Sequence, residues 1–130
     1  MNIFGEVIYG YSRAQAIEDG ALVDVSAIAK ESGFNCPVAL TAGAWADCVA
    51  WSDTDSHRQS YQDESGRLWD VLWLARQAAQ GGQGNRLQFE VYRIPRGGRG
   101  LAPRRTRLEL TIGPGDMGEA VITVMLPGED

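Results

Sequence analysis

Lysine is almost missing from this chain: there is one, against eleven arginines, in 130 residues. Histidine occurs once and cysteine twice, and no apolar run approaches the ~20 residues that a membrane-spanning helix needs. Each scarcity excludes something. One histidine, and two cysteines twelve positions apart, make no cluster with metal-ligand spacing. The carboxylates at Asp53, Asp55, Asp63 and Glu64 do not follow the spacing of a calcium-binding loop. The chain has no Walker loop, no G-x-G-x-x-G after a strand and no G-x-S-x-G elbow. No metal and no cofactor are expected. The opening residues show no basic stretch followed by an apolar core, so a cytoplasmic protein with free thiols at Cys36 and Cys48 is expected, and no membrane association.

Hydrophobic content of 44% and charged content of 22% are ordinary for a globular protein. One domain, 1–130, is the expectation, large enough to bury about two-thirds of its unfolded surface. The charge, however, is segregated. Residues 1–70 carry eleven acids and four bases, while residues 71–115 carry two acids and eight arginines. The net charge is −5. This pattern predicts an acidic face and an arginine-rich face or loop, which steer partners without naming a reaction. Arginine's planar fork suits carboxylates and phosphates, although a GC-rich coding sequence produces the same preference over lysine.

The local pattern predicts an α+β fold, with short helices and strands in the first half, one longer amphipathic helix, and a C-terminal three-stranded antiparallel meander. Ile3 to Tyr9 reads as a short strand. Ser12 and Gln15 form a capping-box pattern, and Gly20 closes the helix they open. Ala21 to Val25 reads as a strand, and Ser26 as the cap of a helix over Ala27 to Ser32. Pro37 argues against a central strand around Val38 to Leu40. Thr41 caps a third helix, Ala42 to Trp51. The polar, acidic run from Ser52 to Ser65 reads as loop.

The clearest helix is Arg67 to Gln80, where Leu68, Val71, Leu72, Ala75 and Ala79 form an apolar stripe. Trp69 and Trp73 are expected in the core, as aromatics at helical spacing usually are. Leu87, Phe89 and Val91, then Leu108, Leu110 and Ile112, alternate with polar residues, and Ala120 to Leu126 is nearly all apolar. These are three strands. Residues 95–105 between the first two read as a flexible arginine/glycine loop.

Three constellations compete for function. The acids Asp53, Asp55, Asp63 and Glu64 are candidates for binding a protein partner with a basic surface. The arginines Arg93, Arg96, Arg99, Arg104 and Arg105 are candidates for binding phosphate, and so a nucleic acid or nucleotide. His57, with Asp53 or Asp55 to orient it, is a candidate general base, but no nucleophile motif accompanies it.

Tyr11 to Val25, Tyr61 to Trp73, and the tail from Ile112-Gly-Pro-Gly-Asp116 through Val124 to Asp130 together resemble an uncharacterised family of small acidic proteins encoded on plasmids and integrative/conjugative elements of proteobacteria. The resemblance covers nearly the whole chain. It implies a mobile-element setting, where neighbouring genes serve transfer or counter host defence, and it implies no activity and no site residues. The leading expectation is a non-enzymatic interaction protein that engages a host nucleic-acid-handling or defence complex through its acidic surface, in the manner of anti-restriction or anti-CRISPR proteins. Nucleic-acid binding through the arginine loop and a small enzyme built on His57 are the alternatives.

Overall fold

Residues 11–129 are described by the computed structural model. The strand expected at Ile3 to Tyr9 lies outside the described residues. Helix α1 (Arg13–Asp19) opens with the capping box expected of it: Ser12 Oγ accepts from Gln15 N at 3.0 Å, and Gln15 Oε1 accepts from Ser12 N at 2.9 Å. Gly20 ends the helix with φ +85°, the left-handed conformation that glycine adopts without a Cβ penalty.

Strand β1 (Leu22–Asp24) leads into α2 (Ser26–Glu31). Ser26 is not the cap expected of it; the capping position is Val25, with no side-chain bond. Asp24 captures Ser26 instead, accepting from both its N (3.0 Å) and its Oγ (2.6 Å).

Strand β2 (Val38–Thr41) corrects the reading of Pro37. This strand is internal to the sheet, pairing antiparallel with β1 and parallel with β5 (Ala120–Met125). Pro37 stands immediately before it, where an N–H is not required, and its carbonyl accepts from Ile122 N at 2.9 Å.

Helix α3 (Ala42–Cys48) is capped by Thr41 and stops three residues short of the expected Trp51. The reason lies in α5: Arg67 Nε takes the Val49 carbonyl at 3.0 Å, and Glu64 Oε2 takes Trp51 N at 3.1 Å. The run read as loop contains a helix, α4 (Asp53–Arg58), capped reciprocally by Ser52 and Asp55. Helix α5 (Glu64–Gly81) starts three residues earlier than expected, because Asp63 caps it by accepting from Gly66 N at 2.7 Å.

Strands β3 (Arg86–Arg93), β4 (Arg104–Pro114) and β5 form the expected antiparallel meander. The complete sheet has five strands in the order β1-β2-β5-β4-β3. Its inner face carries Val38, Leu40, Phe89, Val91, Leu108, Leu110, Ile122 and Val124, packed with Leu68, Val71, Leu72 and Ala75 of α5. Helix α1 lies on the opposite face. Arg13 donates from Nη1 to Thr123 Oγ1 and from Nη2 to the Ile122 carbonyl, both at 2.8 Å. Asp116, in the β4–β5 turn, accepts from Arg13 N and Ala14 N, holding a carboxylate at the positive end of α1.

Trp69 and Trp73 are not in the core: they are 41% and 48% exposed. The apolar stripe beside them already fills the contact with the sheet, so their side of α5 faces solvent.

Two outcomes follow. Leu72 is fully buried, and Leu72→Ala is expected to cost about 2–5 kcal/mol in chemical denaturation; a cost under about 0.5 kcal/mol would contradict the assigned face of α5. Ser12→Ala removes the α1 cap and is expected to cost about 1 kcal/mol by the same measurement.

Candidate functional site

The chemistry-bearing residues gather where α4, the start of α5 and the end of β3 meet. Arg67 is at the centre. Its Nε donates to the Val49 carbonyl at 3.0 Å, and its Nη1 donates to Gln62 Oε1 at 2.6 Å and to the Ile94 carbonyl at 3.1 Å. The guanidinium stacks over the Trp51 ring, 4.5 Å from its centroid. Trp51 is fixed in turn by its indole N–H, which donates to Ser56 Oγ at 3.0 Å.

Around this centre, acids of the first half pair with arginines of the second. Arg93 reaches Asp47 Oδ1 at 2.8 Å and the Asp47 carbonyl at 3.1 Å. Arg96 Nε reaches Asp55 Oδ2 at 2.6 Å. Part of the charge segregation is therefore spent inside the molecule rather than on two separate faces, because the fold lays the β3–β4 connection against α4. Gln59 anchors that connection: its Nε2 donates to the carbonyls of Pro95 (2.9 Å) and Gly100 (2.8 Å), and its Oε1 accepts from Gly97 N (3.2 Å).

The candidate acids separate. Asp55 is 4% exposed and bonds Ser52 N, Ser52 Oγ and Arg96, a structural assignment. Asp53, Asp63 and Glu64 are exposed, and none of them forms an ion pair among the described residues. Asp70 joins them on the outer side of α5. Tyr61, 80% exposed, shares a surface depression with Asp63, Gly66 and Asp70.

The candidate arginines separate as well. Arg93 and Arg96 hold Asp47 and Asp55, while Arg99 lies exposed in the connection. Arg104 and Arg105 begin β4, and Arg105 lies 3.8 Å from Glu90. His57 is exposed on α4, and no hydrogen bond joins it to Asp53 or Asp55, since Asp55 is turned toward Ser52 and Arg96. Cys48 is buried, and burial together with neighbouring Asp47 pushes its thiol up to about 11, so it stays protonated at neutral pH. Both cysteines are free thiols. Among the described residues no group of three His, Cys, Asp or Glu is placed to hold a metal ion, and no helix is long and apolar enough to cross a membrane.

Two signals point to the elements that pattern reading misses. Ser52-x-x-Asp55 is a variant of the capping box, with aspartate at the third helical position. Arg67 lies on the apolar stripe itself, four residues before Val71, where an arginine must find buried partners.

Asp55 yields a pH prediction. Burial pushes its carboxyl up, but the bonds from Ser52 and Arg96 outweigh burial and hold it below its ordinary value. A carboxylate with a depressed folded-state pKa stabilises the fold above its unfolded value of about 3.9, and that stability is lost as pH falls through the lower folded value. Asp55→Asn is therefore expected to be less stable than wild type at pH 7. The gap should narrow as pH is lowered toward about 2, read as urea midpoints across pH. A gap independent of pH would contradict the ionised pairing with Arg96.

No curated protein and no solved structure matches the chain. A family model does match, and it spans the helices, the sheet and the Arg67 centre alike. With residues 1–130 covered, the chain belongs to DUF6573, a family of unknown function.

Proposed function

We propose that the protein is a non-enzymatic interaction module, and that its docking surface is the outward side of α4 and α5. Two half-exposed tryptophans on one exposed helix side carry this reading. Large aromatics left in solvent form an unpaid hydrophobic surface, and tryptophan and tyrosine dominate the energetics of protein interfaces. Trp69 and Trp73 stand four residues apart on α5, with Asp70 between them in sequence, Asp63 and Glu64 one turn or more toward its N-terminus, and Asp53 on α4. None of these four carboxylates is ion-paired among the described residues. Apolar anchors amid unpaired acids complement a partner with a basic surface and apolar sockets.

The finer setting is a mobile genetic element, with the partner a host nucleic-acid-handling or defence complex. That part rests on the sequence resemblance alone. An acidic surface of this kind competes for a groove that otherwise takes phosphates.

The test is affinity for a captured host partner, measured beside single- and double-stranded oligonucleotides. Trp69→Ala is expected to weaken the complex by about thirtyfold, the size of an interface anchor. Neutralising Asp53 and Asp70 together is expected to slow association and flatten its salt dependence, since exposed charges act over roughly 8–10 Å at 0.1–0.15 M salt. Asp55, Asp63 and Glu64 are left intact in that variant because each holds part of the fold: Asp55 through Ser52 and Arg96, Asp63 as the α5 cap, Glu64 through Trp51 N. Neutralising Arg99, Arg104 and Arg105 is expected to change little. Tight oligonucleotide binding by the wild type at physiological salt, abolished in that arginine variant, would transfer the function to the arginine loop.

A further inference from the structure

Arg67 is only 6% exposed, and its Nη2 is the one buried side-chain nitrogen or oxygen among the described residues without a hydrogen-bond partner. A guanidinium carries five N–H bonds. Three are used, by Val49, Gln62 and Ile94, and both hydrogens of Nη2 are unspent.

No carboxylate forms an ion pair with Arg67 among the described residues. The acids nearest in the network are committed elsewhere, Asp47 to Arg93 and Asp55 to Arg96. Carbonyl and amide oxygens satisfy hydrogen bonds but do not cancel a charge. Burial, with Arg93 and Arg96 nearby, disfavours the cation and outweighs the favourable pull of Asp47, yet arginine does not relieve this by losing its proton. The centre therefore holds one positive charge that lacks a counter-ion.

Arg67 is among the residues that line a cleft of about 150 Å³ between α5 and the end of β3. A cavity of about that volume takes a guest the size of benzene. Val71, Val91 and Ile94 supply its apolar wall, Tyr92 and Arg93 stand beside them, and Asp70 is the exposed acid at the rim.

We propose that this cleft binds a small monocarboxylate with a compact apolar body, the carboxylate on Arg67 and the body against Val71, Val91 and Ile94. One uncompensated charge calls for a monoanion. A dianionic phosphate would need a second free cation, and Arg93 is already neutralised by Asp47. Nη2 is shielded from solvent, so the ligand enters by displacing Gln62 Oε1, the neutral side-chain oxygen on Nη1. A carboxylate there bridges Nη1 and Nη2 with two parallel charge-assisted bonds, which are stronger than the amide bond they replace. Asp70 opposes the ligand from the rim, where water screens its charge. The cleft shares Asp70 with the outward side of α5, but neither Trp69 nor Trp73 lines it, so the Trp69 and Gln62 variants let either assignment fail alone.

The test is titration of the whole chain with benzoate, propionate and inorganic phosphate, followed by backbone-amide NMR shifts and calorimetry. Benzoate is expected to saturate with a Kd below about 1 mM, with shifts centred on Val49, Val71, Val91 and Ile94, and phosphate is expected to bind at least about tenfold more weakly. Gln62→Ala removes the competing oxygen and Asp70→Asn removes the opposing charge, so each is expected to tighten benzoate by about threefold. Arg67→Gln is expected to lose the binding. If that variant fails to fold, the Gln62 and Asp70 variants still decide, because both leave the bonds from Arg67 to Val49 and Ile94 in place. The absence of saturable shifts at about 10 mM carboxylate, weaker benzoate binding in Gln62→Ala, or phosphate binding tighter than benzoate would each overturn the proposal.

Discussion

Arg67 joins three stretches of chain: residues 49–51, its own segment from Gln62 onward, and Ile94. Its guanidinium bonds the carbonyl just past α3, the Gln62 side chain before α5 and the carbonyl just past β3, and it lies on the ring of Trp51. Burying such a group is expensive, and three of its five hydrogens offset that cost by finding oxygen partners. The need for those partners dictates much of the local geometry. Helix α3 stops where its next carbonyl is taken, Trp51 turns inward to cover the cation, and β3 ends where Ile94 presents its carbonyl. Removing the guanidinium would leave the carbonyls of Val49 and Ile94 unpaired at once.

The pairs around Arg67 change the meaning of the charge pattern. A −5 chain with its arginines crowded into one stretch suggests two opposed faces. Instead, Asp47–Arg93 and Asp55–Arg96 join the acidic half to the basic one across 46 and 41 residues of sequence. Glycines at 97, 98 and 100 let the connection between β3 and β4 bend back onto Gln59, and Arg96 of that connection reaches Asp55 of α4. What remains exposed and outside the ion pairs of the described residues is smaller: Asp53 on α4 and Asp63, Glu64 and Asp70 on α5, with Trp69 and Trp73 on the same helix.

Much of the fold is legible from local chemistry. The α1 capping box, the α5 stripe and the alternating strands of the meander are short-range patterns, and each is realised. The elements that pattern reading misplaces are set by distant partners. Pro37 reads as a strand breaker until β5 supplies a neighbour that uses its carbonyl and needs no N–H from it. Residues 53–58 read as loop because their charges mask a cap whose acid, Asp55, is stabilised by Arg96 far along the chain. Trp69 and Trp73 have the spacing of core residues, and only the sheet's position shows that the neighbouring stripe is the buried one. Arg67 has no local signature apart from standing on an apolar stripe, so the centre of the site is the least legible part of the sequence.

The parallel pairing of β2 with β5 has a consequence for how the molecule is made. Residues 38–40 cannot complete their hydrogen bonding until residues 122–124 exist, since Val38, Ala39 and Leu40 align with Ile122, Thr123 and Val124. Sequence-distant pairing of this kind slows folding, because a long loop must close before any contact rewards it. During synthesis, Val38, Ala39 and Leu40 therefore leave the ribosome long before the strand that completes their pairing. Their open side waits until residues 122–124 have left the ribosome, and in that interval a chaperone or another nascent chain can occupy the place that β5 will take.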